Sequence, residues 1–251
     1  MRQLHEQPDC LFRGYEKEWQ EQYGHNRDPI REYVIYPLLK NEIGDLNGVS
    51  LLDLGSGNGW LIKKIADYNF SKAVCLDKSS AFLKQAQASI DDSRVEFIEA
   101  DINEPIKLAD ESFDHAFCIF VLNEMPNGLP LFQCMHHLLR QSGVAHIIMT
   151  HPFVILHSQW QEKYLQKQDT KLRGELDYKT RSKLVYSFTL SAIETGFFQY
   201  SFEEIVQNIN ESGLKLKKLV ELRTDNKIFK KYPLYWEERF IPKYLYIRLE
   251  K

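Results

Sequence analysis

The run Val49-Ser50-Leu51-Leu52-Asp53-Leu54-Gly55-Ser56-Gly57-Asn58-Gly59 decides how this chain is read. A short apolar stretch ends in an acid and three glycines at alternate positions. Leu61 to Tyr68 follows with apolar residues at helical spacing. The order is strand, glycine turn, helix. Glycine lets a backbone turn tightly and approach a ligand closely. The start of a helix adds free N–H groups and the positive end of its dipole. Such a turn suits an anionic or zwitterionic group; a tight turn holding no ligand is the plain alternative. The spacing excludes several sites. No Gly-Lys-Ser/Thr follows, so it is not a P-loop. The glycines run G-x-G-x-G, which speaks against a dinucleotide fingerprint. No glycine stands two residues before Ser56, so it is not a nucleophile elbow.

Working outward, Ala73-Val74-Cys75-Leu76 is a second apolar run, closed by Asp77. Ser79 or Ser80 caps a helix through Ile90. Val95 to Ile98 predicts a third strand and Phe113 to Val121 a fourth. Leu131 to Arg140 reads as a helix, and Gly143 to Thr150 as a fifth strand. Residues 15–42 read as one or two helices. Strands that alternate with helices indicate βαβ units and a parallel sheet. Nearly all-apolar strands fit a sheet covered by helices on both faces. After Thr150 the rhythm breaks. Residues 153–200 are rich in aromatics and charges and read as a helical cap inserted into the sheet. Ser201 and Glu204 then form a capping box for a helix from Phe202 to Asn210, ended by Gly213. Leu214 to Leu222 and Tyr244 to Leu249 close the pattern as strands six and seven.

The 251 residues read as one domain. Residues 1–44 form an N-terminal helical lid, 45–152 a cofactor-binding core, 153–200 a substrate cap, and 201–251 the closing helix and strands. The formal net charge of −3 gives no global attraction to nucleic acid or an anionic membrane. No apolar run is long enough to span a bilayer. Met1 to Gln20 lacks the apolar core of a signal peptide. Cys10, Cys75, Cys118 and Cys134 are scattered, which argues for a reducing cytoplasm rather than a disulfide framework.

Three further positions carry chemistry. Asp77 stands about 20 residues beyond the glycines, where a doubly wound fold places an acid that accepts from a ribose diol. A helix-capping or surface aspartate is the plainer reading. Glu99-Ala100-Asp101-Ile102 follows strand three, where an acid can accept from an adenine amine while Ile102 packs on the ring. Phe113 to Glu124 is an apolar strand that ends in polar residues, at the edge where ligands bind in such sheets.

These four stretches, in this order and spacing, resemble the class I S-adenosylmethionine-dependent methyltransferases, in particular the small-molecule branch. The resemblance covers about residues 45–151, and more weakly Leu214–Leu222 and Tyr244–Leu249. It implies a Rossmann-like α/β fold, with a seven-stranded sheet in the order 3-2-1-4-5-7-6 and the last strand antiparallel. It implies S-adenosylmethionine as cofactor and S-adenosylhomocysteine as product. Asp53, Gly55, Ser56, Gly57 and Gly59 are assigned to the cofactor's methionine part, and Asp77, with Lys78 beside it, to the ribose. Asp101 and Ile102 are assigned to the adenine. Cys118, or Ile119 and Phe120, would line the site near the sulfonium. Tyr15, Trp19 and Tyr23 are candidates for an aromatic lid, because aromatic faces stabilise cations.

In-line transfer rests mostly on positioning. If the acceptor must lose a proton, His151, just past strand five, is a candidate base. Glu124 could orient an amine or cationic substrate. Each has an ordinary structural alternative, a loop histidine or a helix-start acid. His115, inside a strand pattern, reads as structural. Cys134, His136 and His137 do not make a metal site, since adjacent histidines on a helix point about 100° apart and no second ligand pair completes it. Trp160, Tyr164, Tyr186 and Tyr200 suit a flat or apolar substrate under the cap. The expected partner is such a small molecule, with no nucleic acid and no membrane, acted on by a monomer or homodimer. A methyltransferase for RNA, DNA or protein, a silent cofactor-binding subunit and a nicotinamide-dependent oxidoreductase are the rival readings.

Overall fold

The computed structural model describes residues 28–153, 198–224, 230 and 240–251. Seven strands form one sheet: β1 (Ser50–Leu54), β2 (Lys72–Asp77), β3 (Val95–Glu99), β4 (Phe113–Ile119), β5 (Leu139–Thr150), β6 (Lys215–Leu222) and β7 (Tyr244–Glu250). Their order is β3-β2-β1-β4-β5-β7-β6. β1 through β5 pair in parallel, and β7 runs antiparallel between β5 and β6. The five described α-helices are α1 (Tyr36–Ile43), α2 (Trp60–Lys64), α3 (Ser80–Ser89), α4 (Leu129–Leu138) and α5 (Phe202–Ser212). A π-helical turn, Arg31–Ile35, leads into α1.

Side-chain alternation along each strand divides the core in two. Leu52, Leu54, Val74 and Leu76 face one side, where Leu131, Phe132 and Met135 of α4 meet Ile205 and Ile209 of α5. Leu51, Ala73, Cys75 and Phe117 face the other, against Ile35, Leu39 and Ile43 of the N-terminal helical segment and Leu61 and Ile62 of α2. The edge strand β6 departs from the apolar pattern. Most of it is exposed, with Lys215, Lys217 and Lys218 along an edge where charge discourages unwanted pairing.

Helix boundaries follow local chemistry. The Ser79 hydroxyl accepts from the Phe82 amide and starts α3. Ser201 and Glu204 make the reciprocal capping box of α5, and Gly213 ends that helix at φ +83°. α4 stops two residues before the Arg140 read from sequence. Leu139 is taken into β5 opposite Phe113, and a register shift absorbs the turn that was expected before Gly143. A polar chain runs from half-buried His115 to buried His146 and Tyr246. His115 Nδ1 is 2.9 Å from His146 Nε2, and His146 Nδ1 is 2.9 Å from the Tyr246 hydroxyl. The histidines stack with Phe117. His115 is therefore part of the core's bonding, as its strand position suggested. Among the described residues, no helix is long and apolar enough to cross a membrane, and no group of three His, Cys, Asp or Glu side chains is placed to hold a metal ion.

Candidate functional site

The site lies where the parallel strands end. β1 runs into a turn in which Gly55, Gly57 and Gly59 have φ of +70°, +54° and +75°. Gly55 and Ser56 donate their amides to the Leu76 carbonyl, at 2.7 and 3.0 Å, which pins the turn to β2. Two of the glycines are required by packing. A Cβ on Gly55 would collide with the Val121 side chain, and one on Gly59 would come within 2.6 Å of Ile90 Cδ1. At Gly57 a Cβ would meet nothing within 4 Å. Among the described residues, the turn thus opens as a cradle at Gly57.

Asp77 braces that cradle. Its Oδ2 accepts from the Gly57 amide at 2.7 Å and its Oδ1 from the Ser79 amide at 2.8 Å. A carboxylate has about four lone-pair positions, so acceptor capacity remains beyond the bonds from the Gly57, Ser79 and Lys78 amides. Burial raises the Asp77 pKa, opposed by these backbone bonds. The helix-start role that competed with ribose binding is real, and it coexists with a free acceptor edge. The Ala100 amide donates to the Asp77 carbonyl, which brings the next loop alongside. There Asp101 Oδ1 accepts from the Asn103 amide and side chain, and Ile102 packs on the core.

Asp53 shares strand parity with Leu51 and so points to the side of the N-terminal helical segment. It is 3 % exposed. Burial and Asp77 push its pKa up to about 7, against the pull of Arg31. Glu124 ends the one-turn 3-10 helix Leu122–Glu124. Burial, then Asp77, push its pKa up to about 8, opposed by Lys78 and Arg31. Among the described residues neither carboxyl takes part in a hydrogen bond.

Arg31 completes the group, and sequence reasoning did not single it out. Its guanidinium lies 5.5 Å from the Trp60 ring centroid and 5.7 Å from that of Phe120, and Nε is 3.5 Å from Asp28. Burial lowers its pKa, while Asp28, Asp53 and Glu124 raise it. Its signal was a basic residue within the apolar face Ile30, Ile35, Leu39. Phe120 was read as strand but stands at φ +64°, a conformation unusual for a bulky residue. It is held there by its amide bond to Ile148 O at 2.7 Å and by edge contact with the Tyr244 ring. Strain of this kind gathers at binding sites.

Other residues fall elsewhere. Ile119 faces the recess side with Phe117. Cys118 faces the opposite core and is fully buried; burial pushes its thiol up to about 12, opposed by bonds from the Leu122 and Val121 amides. Its position favours the turn after β4 rather than the sulfonium. His151 Nδ1 accepts from the Phe153 amide at 3.2 Å, and Nε2 lies 3.1 Å from Glu221 Oε1. That assigns the proton to Nε2 and leaves no ring lone pair for a substrate. Burial lowers the His151 pKa, against the pull of Glu221. The Tyr200 hydroxyl donates to the Met125 carbonyl at 2.6 Å, and the ring is buried in the core. Tyr15, Trp19, Tyr23, Trp160, Tyr164 and Tyr186 lie outside the described residues. Asn123, also missed, ties three segments: Oδ1 accepts from Thr150 N at 2.8 Å, Nδ2 donates to Phe198 O at 3.0 Å, and its own carbonyl accepts from Phe198 N at 2.6 Å.

A glycine cradle, an acid at the end of β2 and a second acid in the loop after β3 thus gather at one edge of the α/β sheet. Residues 52–147 match the family model of the methyltransferase domain. A structure of a SAM-dependent methyltransferase from Listeria monocytogenes is similar, with a TM-score of 0.71 and 19 % identity, covering 86 % of this chain and 96 % of that one. So is magnesium protoporphyrin IX methyltransferase from Synechocystis, solved with bound S-adenosylhomocysteine, at a TM-score of 0.61 and 13 % identity over 95 % and 94 % of the two chains. An uncharacterized protein of Haemophilus influenzae is 24 % identical over 151 residues, which are 57 % of this chain. The matched region spans 59 % of that relative's length. Residues 52–147 thus carry a methyltransferase domain, and the fold is the one shared with these S-adenosylmethionine-dependent methyltransferase structures.

The residues present fit that cofactor. Gly57 leaves the turn open among the described residues, Asp77 keeps acceptor capacity beyond its backbone bonds, and buried Asp53 and half-buried Glu124 face the Arg31 guanidinium, a donor and acceptor set that suits a zwitterion with an added cation.

Proposed function

We propose that the protein transfers the methyl group of S-adenosylmethionine to a small-molecule acceptor through an N, O or C nucleophile. The observation that carries this reading is the set of Asp53, Asp77 and Glu124 gathered with Arg31 at the strand ends beside the Gly57 opening. The cofactor supplies an electrophilic methyl on a sulfonium. Arg31 takes the cofactor's carboxylate, Asp77 its ribose hydroxyls, and Asp101 with Ile102 its adenine. Trp60 and Phe120 offer aromatic faces near the cation, each worth about 0.5–2 kcal/mol. Holding the nucleophile in line contributes on the order of 7–11 kcal/mol in favourable cases. With both His151 nitrogens engaged, the acceptor's proton falls to Glu124.

A small acceptor fits the net charge of −3, which offers nothing to a polyanion. The aromatics Trp160, Tyr164 and Tyr186 suit a flat or apolar molecule, and the dispersed cysteines suit a cytoplasmic enzyme acting as a monomer or homodimer. The test is transfer of a labelled methyl group to pooled small metabolites, total RNA and total protein. Label in the small-molecule fraction supports the proposal. Label confined to RNA or protein overturns the acceptor class.

A further inference from the structure

Glu32 joins the N-terminal helical segment to the helix that leaves the glycine turn. It lies in the π-helical turn Arg31–Ile35. Its Oε1 accepts from the Trp60 indole N–H at 3.1 Å, and its Oε2 lies 2.7 Å from Lys64 Nζ. Trp60 is the first residue of α2 and follows Gly59 directly. One helical turn further on, the Tyr36 hydroxyl donates to the Lys64 carbonyl at 3.3 Å, and Lys64 Nζ lies 5.8 Å from the Tyr36 ring centroid. The Glu32–Trp60 and Tyr36–Lys64 bonds each join residues 28 positions apart, so the two helical segments run side by side in the same direction. The Tyr36 amide donates to the Arg31 carbonyl, the wide bond of a π-turn, a feature that gathers at functional sites.

The neighbouring Arg31 lies over the ring that Glu32 holds. Its guanidinium is 5.5 Å from the Trp60 centroid and 5.7 Å from that of Phe120, with Nε 3.5 Å from Asp28 Oδ2. An arginine side chain has many rotamers, and ordering it at the moment of binding weakens affinity. A fixed indole beneath it removes part of that loss in advance. We propose that Glu32 is a positioning residue for the cofactor's amino-acid end: it fixes the Trp60 ring, and that ring fixes the Arg31 guanidinium where the cofactor's carboxylate binds. The proposal rests on the methyl-transfer reading above, in which Arg31 takes that carboxylate, and deepens it.

Of the two Glu32 contacts, the bond to Trp60 does the positioning. The pair with Lys64 is partly exposed, at 23 % for Lys64 and 17 % for Glu32, and an ion pair between flexible side chains near solvent contributes little. The indole has a single N–H donor with one direction, so its bond sets the tilt of the ring. Glu32 is not what docks the two segments. Ile35 and Leu39 pack with Leu61 and Ile62 in one apolar cluster, and the Tyr36–Lys64 bond closes the pair a turn away. Altering Glu32 therefore frees the ring and leaves the helices joined.

Calorimetric titration of the full chain with two probes separates positioning from general loosening. S-adenosylhomocysteine has the amino-acid end; methylthioadenosine is a nucleoside thioether without it. Glu32→Ala should raise the dissociation constant of S-adenosylhomocysteine by about two- to tenfold, the effect of ordering one arginine at binding, and leave that of methylthioadenosine unchanged. Glu32→Gln keeps an acceptor for the indole and should restore most of the affinity, while Lys64→Met should not alter it. Trp60→Phe keeps a ring and removes the N–H. It should reproduce the loss, and the double variant with Glu32→Ala should lose no more than either alone. Equal weakening of both probes by Glu32→Ala, an unchanged S-adenosylhomocysteine constant, or losses that add in the double variant overturn the inference. Arg31→Met tests the reading beneath it. A selective loss of S-adenosylhomocysteine there upholds the carboxylate role of Arg31 even where Glu32→Ala has no effect. No selective loss in Arg31→Met overturns that role, and this inference with it.

Discussion

At Gly55 and Gly57 two identical residues in one turn have different reasons to be glycine. Both have positive φ, which costs a side-chain-bearing residue about 1–2 kcal/mol. Gly55 is also packed against Val121, whereas Gly57 faces open space. Gly57→Ala should therefore fold with a loss of about 1–2 kcal/mol, and Gly55→Ala should lose several kcal/mol from added overpacking. Urea unfolding of the two variants checks the order; equal losses would contradict it. Asp77 holds the turn and is the proposed acceptor for the ribose, so Asp77→Ala should weaken S-adenosylhomocysteine binding by about 1.5–3 kcal/mol. An unchanged dissociation constant would remove Asp77 from the site. Among candidate site residues, the glycines, Asp53 and Asp77 were legible because spacing along one βαβ unit fixes where they meet. Arg31 was not, because it reaches the site across the fold. The engagement of both His151 nitrogens was equally hidden, since Glu221 lies 70 positions away and meets it only through β6.

The α5 helix shows how local chemistry sets an element. The Ser201 hydroxyl accepts from the Glu204 amide at 3.1 Å, and the Glu204 carboxylate accepts from the Ser201 amide at 2.9 Å. Ser201→Ala should cost about 1 kcal/mol, read as a lower midpoint in chemical denaturation with unchanged slope; no change would mean the cap is redundant. The apolar pattern and the box made α5 readable to within two residues. β5 was less readable at its start, because Leu139 pairs with Phe113 only once the sheet is assembled. Across β4, β5 and β7, burial lowers the pKa of His146 well below its ordinary value, with His115 and Arg248 adding to the effect. Its ring should stay neutral, and its NMR signals unmoved, as pH falls through the ordinary histidine range. The linkage sign is that unfolded histidine gains protons below about pH 6.5 while folded His146 does not, so this residue's contribution to stability is lost as pH falls. Ring signals that move in that window would contradict the buried chain.

At the scale of the molecule, seven strands in the order β3-β2-β1-β4-β5-β7-β6 bring the loops after β1, β2, β3 and β4 to one edge. The crossing from β1 out to β3 and back to β4 opens the crevice there, as it does in open α/β sheets generally. The strand count and the parallel core followed from the sequence pattern, while the order came from the family resemblance. Side-chain charge at the site required the assembled sheet, since Asp53, Asp77 and Glu124 lie in three separate segments.

Binding of S-adenosylhomocysteine tests the central claim most directly, by thermal unfolding of the chain with that ligand and with NAD as control. A ligand at about 100 times its dissociation constant stabilises by about 2.7 kcal/mol, which for a protein of this size raises Tm by about 5–10 °C. The account predicts that rise with S-adenosylhomocysteine and none with NAD. No rise with S-adenosylhomocysteine, or a rise with NAD alone, would contradict it and leave the glycine turn without a cofactor.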